Sequence, residues 1–223
     1  MKKLKLTAVF ILLMVSGILN AQSWGLDPFL SFMRDQKELN LEFSYDSTTI
    51  TTSLNEKDAD LTMLLESEFV KQQTEKFNLH APGGGDKWAK EWYDAKTLYF
   101  EPKFEKEFKR ELKELEINAA LKNTQAKYTM IVQTTNIIYG KIRVDNFSSR
   151  GGATMGQTGA YCDYFVQIVE TANHSKLMAR AVLKHVFGQG ILTINQYRPM
   201  PIAACYEKAG AKFAKGFIKA YLK

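Results

Sequence analysis

Two long β-branched and aromatic runs lie close together in the second half of this chain: Lys127 to Val144 (KYTMIVQTTNIIYGKIRV) and Ala160 to Thr171 (AYCDYFVQIVET). Segments of helical periodicity stand on both sides of them. Keeping strands and helices apart in this way points to an α+β domain rather than an alternating α/β one. The clearest helix spans Pro102 to Leu121. Phe104, Phe108, Leu112, Leu115 and Ala119 make one apolar stripe, and Pro102 suits a first turn, where its missing N–H costs nothing. Glu105 with Lys109 and Arg110 with Glu114 stand four apart and can pair across the solvated face.

The remaining elements follow the same rules. Leu39 to Thr52 alternates Leu39, Leu41, Phe43 and Tyr45 with polar residues and predicts a half-buried strand. Leu61, Leu64, Leu65, Phe69 and Phe77 predict a helix from Asp58 to Phe77. The loop Ala81-Pro82-Gly83-Gly84-Gly85-Asp86 follows, and the Asp86 carboxylate is a candidate cap for a short helix carrying Trp88 and Trp92 on one face. A turn at Asn173-His174 precedes an apolar stretch, Leu177 to Phe187, that is helix or strand by periodicity alone. From Pro201 to Leu222, Ile202, Cys205, Ala209, Phe213, Phe217, Ile218 and Tyr221 mark an apolar face. Lys208, Lys212, Lys215 and Lys219 lie off it. The expectation is a two-layer α+β fold, a mostly antiparallel sheet packed against several helices.

The N-terminus has the layout of a secretory signal. Lys2, Lys3 and Lys5 precede an apolar run from Leu6 to Leu19, and Ala21 is the small residue before an expected cut at Gln22. The run is short for a membrane span, and no cysteine follows it to take a lipid anchor. Residues 1–21 are therefore expected to be a signal peptide and 22–223 a single soluble domain, periplasmic or secreted. Loss of the three leader lysines takes the net charge from +6 to +3. So weak a positive balance, in an exported chain, gives no ground for a nucleic-acid partner. With 45% hydrophobic and 24% charged residues, the composition belongs to a globular domain.

Chemistry-bearing motifs are few. Gly151 to Thr158 (GGATMGQT) approaches a phosphate-binding loop, but Gln157 stands where the lysine should be and a strand follows instead of a helix, so no nucleotide site is expected. His80, His174 and His185 are scattered without ligand spacing, and no metal or other cofactor is expected. Asp46 and Asp163, on predicted strands, read as strand-end or solvent-facing acids. Cys162 and Cys205 are an even pair in an oxidising compartment, open either to a disulfide stapling helix to sheet or to two buried free thiols. Trp88, Trp92 and Tyr93, with Tyr99 and Phe100, crowd beside the glycine loop. Helical spacing can bury them in the core, or they can present faces to a sugar or a partner protein.

Several stretches carry a family likeness: Pro82-Gly83-Gly84-Gly85-Asp86-Lys87-Trp88 with Trp92, Phe100-Glu101-Pro102-Lys103-Phe104, Lys127-Tyr128-Thr129-Met130-Ile131-Val132, Val169-Glu170-Thr171-Ala172-Asn173, and the Ala-Gly-Ala-Lys helix from Ala209. In these the chain resembles a group of uncharacterised exported proteins of Bacteroidetes, over most of its mature length. In element order alone it also resembles small α+β modules of envelope assembly proteins. The likeness implies export and no activity, cofactor or catalytic residue. The leading functional expectation is a non-enzymatic envelope protein that binds or assembles with an envelope protein or polysaccharide. The alternative is a periplasmic hydrolase or carbohydrate-binding protein built on Trp88, Trp92 and Tyr93.

Overall fold

The computed structural model describes residues 24–52, 62–140, 159–189 and 199–223. The signal segment and the Gly151–Thr158 loop lie outside them. Eight strands form one sheet: β1 (Gly25–Leu26), β2 (Glu38–Ser44), β3 (Thr49–Thr52), β4 (Thr62–Leu65), β5 (Asn118–Leu121), β6 (Tyr128–Gly140), β7 (Gly159–Glu170) and β8 (Asn173–Gln189). The helices are α1 (Glu66–His80), α2 (Gly84–Ala95), α3 (Glu101–Leu112) and α4 (Met200–Tyr221), with α2 and α3 joined by a π-helical turn, Lys96–Phe100.

The sheet runs β1-β8-β7-β6-β2-β5, with β3 beside the far half of β6 and β4 outside β3. It is mixed: four pairings, among them the long ones of β6, β7 and β8, are antiparallel as expected, and three are parallel. β6, β7 and β8 follow one another and pair antiparallel. β2 and β3, however, lie parallel to β6, and β2 lies parallel to β5. The cause is the helical layer. A chain that leaves the sheet after β4, passes through three helices and returns at β5 can re-enter running the same way, as a crossover connection does.

Three further expectations give way to the structure, and one that the periodicity left open comes out as strand. The Leu39–Thr52 run is two strands, β2 and β3, separated by a tight turn in which Ser47 has φ 63°. The helix expected from Asp58 begins only at Glu66, after β4. The helix expected to reach Leu121 ends at Leu112. After a short 3-10 turn Glu116 takes φ 55°, and Ala119 fills the core from β5 instead of from a helix stripe. Leu177–Phe187 is part of the 17-residue β8, where Ala179, Ala181 and Leu183 are buried and Arg180, Val182 and Lys184 exposed. At His185 (φ 53°) the alternation slips by one residue, held by the Asp163 carboxylate accepting the His185 N–H at 2.6 Å. Asp163 therefore has a structural partner where the sequence suggested a solvent-facing acid.

Helices α3 and α4 cover one face of the sheet. From α4, Ile202, Cys205, Ala209, Phe213 and Phe217 are all buried, with Tyr164 of β7 edge-on to Phe213 at 6.4 Å. From α3, Phe104 meets Phe43 of β2 edge-on at 5.3 Å, and Phe108 meets Phe217 of α4 at 6.2 Å. The two helices cross closely at Gly210, where a Cβ would stand 2.4 Å from the Phe104 carbonyl oxygen. Only glycine fits there.

Candidate functional site

The aromatic cluster forms where α1 and α2 lie against each other. Their close approach depends on Gly85, where a Cβ would come within 2.0 Å of the Thr74 carbonyl oxygen. Asp86 does not cap α2 as the sequence suggested. The Asn78 side chain of α1 does so, its Oδ1 accepting the Gly85 N–H at 2.8 Å, while Asp86 accepts from Asn78 Nδ2 at 3.3 Å. An amide, carrying both donor and acceptor, can serve both groups at once.

On this scaffold the three aromatics singled out from the sequence part company. Trp92 is 2% exposed, with its ring 5.6 Å from Phe69. Trp88 is half-buried among Phe69, Phe77 and Trp92. Tyr93, one residue on, is turned outward and 45% exposed.

The structure adds polar residues that the sequence did not single out. Glu66 opens α1, its N–H bonded to the Thr48 carbonyl at 2.9 Å. Its carboxylate accepts from Trp92 Nε1 at 2.8 Å and from Lys96 Nζ at 2.7 Å. The Lys96 ammonium also lies 4.2 Å from the centre of the Tyr45 ring and 5.1 Å from that of Tyr93, within cation–π range of both. Tyr45 donates to Glu101 Oε1 at 3.3 Å. Deeper in, the Tyr206 hydroxyl bonds the Thr134 hydroxyl and stands beside Tyr45. Burial raises the Tyr45 phenol well above its ordinary range, and the Glu101 charge adds to this. Burial also raises Glu101, the Tyr45 hydrogen bond opposing it, and raises Tyr93 with help from the Glu66 charge. The one sequence signal for this network is the Trp92–Lys96 spacing, which places indole and ammonium on one helix face.

Chemically this is a closed circuit. Both Glu66 oxygens are engaged, and the Lys96 charge is held between a carboxylate and two ring faces. The arrangement ties α1, the π-helical turn and the end of β2 together. A hollow of about 390 Å³ lies elsewhere, lined by Thr124, Ala126, Lys127, Glu170, Thr171 and Ala172.

Cys162 of β7 and Cys205 of α4 are brought together as buried free thiols, and the Cys205 thiol donates to the Ala160 carbonyl at 3.3 Å. Burial pushes the Cys162 thiol well up, with Cys205 beside it adding to the shift. Arg110 pairs with Glu107 and Glu111 rather than with Glu114, while Lys109 and Glu105 do stand at 3.8 Å. Among the described residues no three His, Cys, Asp or Glu side chains gather as a metal site would require, and no helix is long and apolar enough to cross a membrane.

No family model matches the chain, and no curated protein does. Among solved structures the chain is similar to the PelC dodecamer from Paraburkholderia phytofirmans, at 8% identity over 89% of this chain and 98% of that one, with a TM-score of 0.34. It is also similar to a DUF330 protein from Xanthomonas campestris, at 9% identity over 83% of this chain and 82% of that one, with a TM-score of 0.29. Likeness at this level carries nothing about function.

Proposed function

We propose that the protein is an exported, non-enzymatic envelope protein that binds a protein partner through the open edge of its sheet at β4. The observation that carries this reading is the edge itself. Among the described residues β4 pairs with β3 alone, and its Met63 and Leu65 are 63% and 48% exposed. A strand with unpaired N–H and C=O groups and apolar side chains on show is a template for strand addition by another chain. Leu65 runs directly into Glu66, whose charge acts on the exposed Tyr93, so an aromatic ring stands near the end of that edge. The sugar-binding alternative is less well served, because Trp92 is buried and bonded to Glu66 and offers no ring face to a ligand.

Export rests on the cationic and apolar leader and on the resemblance to exported Bacteroidetes proteins. N-terminal sequencing of protein recovered from the envelope should begin at or near Gln22, and a sequence starting at Met1 refutes export. Binding is tested by capture from the native envelope fraction with the wild type and with Met63→Lys. A charge on the edge should abolish capture of a partner while leaving stability within about 0.5 kcal/mol, the usual range for exposed substitutions. Equal capture by both proteins removes the edge from the reading.

A further inference from the structure

The outer face of α4 carries a row of cations, of which Lys208 lies 5.4 Å from the centre of the Phe187 ring and none has a carboxylate partner among the described residues. At about 100° and 1.5 Å per residue, Lys208, Lys212, Lys215 and Lys219 fall within an arc of roughly 60° and span about 16 Å along the axis. All four are exposed. The neighbouring helix treats several of its cations differently. On α3, Lys103 pairs with Glu207, Lys109 with Glu105, and Arg110 with Glu107 and Glu111. Among the described residues no carboxylate stands within ion-pair distance of the four α4 lysines, and the single acid of α4, Glu207, is turned to Lys103.

Two ordinary explanations cover only part of the row. The helix dipole favours cations within its last turn, which accounts for Lys219 but not for Lys208 and Lys212, two to three turns earlier. Solubility asks for charge, yet α3 achieves it with mixed signs. The row is also poorly suited to a lipid bilayer. A helix that lies on a membrane inserts its apolar face, and here Ile202, Cys205, Phe213 and Phe217 are buried in the core. What remains is a straight positive ridge with cations about 4.5–6 Å apart along the axis. A linear polymer bearing one carboxylate on each sugar ring presents anions at a comparable pitch.

We propose that the lysine ridge of α4 is a docking surface for an acidic polysaccharide, an envelope polymer of carboxylated sugars. The ridge stands independently of the β4 edge, so either surface can fail without the other. The test measures binding of the protein to polygalacturonate at low ionic strength. Its companions are a variant with Lys208, Lys212, Lys215 and Lys219 changed to Gln, and a control of equal charge change with the exposed Lys71, Lys76, Lys87 and Lys113 changed to Gln. Circular dichroism confirms the fold of both. Wild type and control should bind within about twofold of each other, while the ridge variant should lose roughly tenfold or more, four exposed contacts of modest strength compounding. Binding should weaken steeply as salt shortens the screening length, and neutral dextran should not bind. Absence of binding to polygalacturonate, equal losses in both variants, or tighter binding to phosphatidylglycerol vesicles each overturns the proposal.

Discussion

Replacing Glu66 by Gln tests whether the circuit around Lys96 holds the helical layer to the sheet. The two side chains are 10% and 14% exposed, so this pair is far from the freely solvated surface pairs that contribute little. A glutamine keeps the shape and can still accept from Trp92 Nε1 with its amide oxygen, but it removes the negative charge that, among the described residues, is bonded to the Lys96 ammonium. Stranding one member of a buried pair costs about 3–5 kcal/mol. The Tyr45 and Tyr93 ring faces stay in place and return about 0.5–2 kcal/mol of that. The expected loss is therefore about 1–4.5 kcal/mol, or a fall of roughly 0.5–2 M in the urea midpoint at an ordinary slope. Adding Lys96→Met removes the stranded charge and should restore more than half of the loss. Equilibrium urea unfolding followed by tryptophan fluorescence reads all three proteins, and an unchanged slope confirms that the midpoints report stability. If Glu66→Gln shifts stability by less than about 0.5 kcal/mol, or if the double variant is no better than the single, the pair is not structural and the reasoning fails.

Other substitutions and conditions probe the same core. Trp92→Ala should lower stability by about 3–5 kcal/mol, as truncation of a buried aromatic does, and native fluorescence should be blue-shifted and resist acrylamide quenching; a loss under 0.5 kcal/mol would place the ring in solvent. Tyr45, Tyr164 and Tyr206 all have folded-state pKa values raised above the ordinary 10.0, chiefly by burial. Their contribution to stability is complete below about pH 10 and is lost as pH rises beyond it. Of the ten tyrosines, a fraction of the tyrosinate absorbance matching these three should thus appear only together with loss of circular dichroism, and all ten forming tyrosinate in a folded protein would contradict this. Cys162 and Cys205 should resist an aromatic disulfide reagent in the native protein and yield two thiols on unfolding; no thiol on unfolding would show a bridge.

The sequence was most legible where one periodicity ruled. The face Ile202, Cys205, Ala209, Phe213 and Phe217 of α4 is buried as its spacing predicts, and the long runs of β6 and β7 are strands. It was least legible where one set of apolar residues satisfies two periods. Leu115 and Ala119 continue a helical stripe from Leu112, yet Glu116 in the left-handed region starts a strand. In Leu177–Phe187 small alanines on the buried face weakened the alternation. The direction of β2 and β3 was invisible, because strand polarity depends on connections and not on composition. So was the polar circuit, because Glu66 and Glu101 look in sequence like the many surface carboxylates, and only tertiary approach gives them Lys96 and Tyr45.

The placement of β2 also sets an order of events. Glu38 meets Asn118 and Asn40 meets Thr129, separations of 80 and 89 residues, and neither pairing partner exists until more than half the chain has been made. Contacts this distant in sequence slow folding, since the intervening loop must be closed before they can form. The first strands to leave the ribosome therefore wait, with Leu39 and Leu41 uncovered, for β5 and β6 to arrive. Ribosome-bound chains truncated before Asn118 would still lack both neighbours of β2.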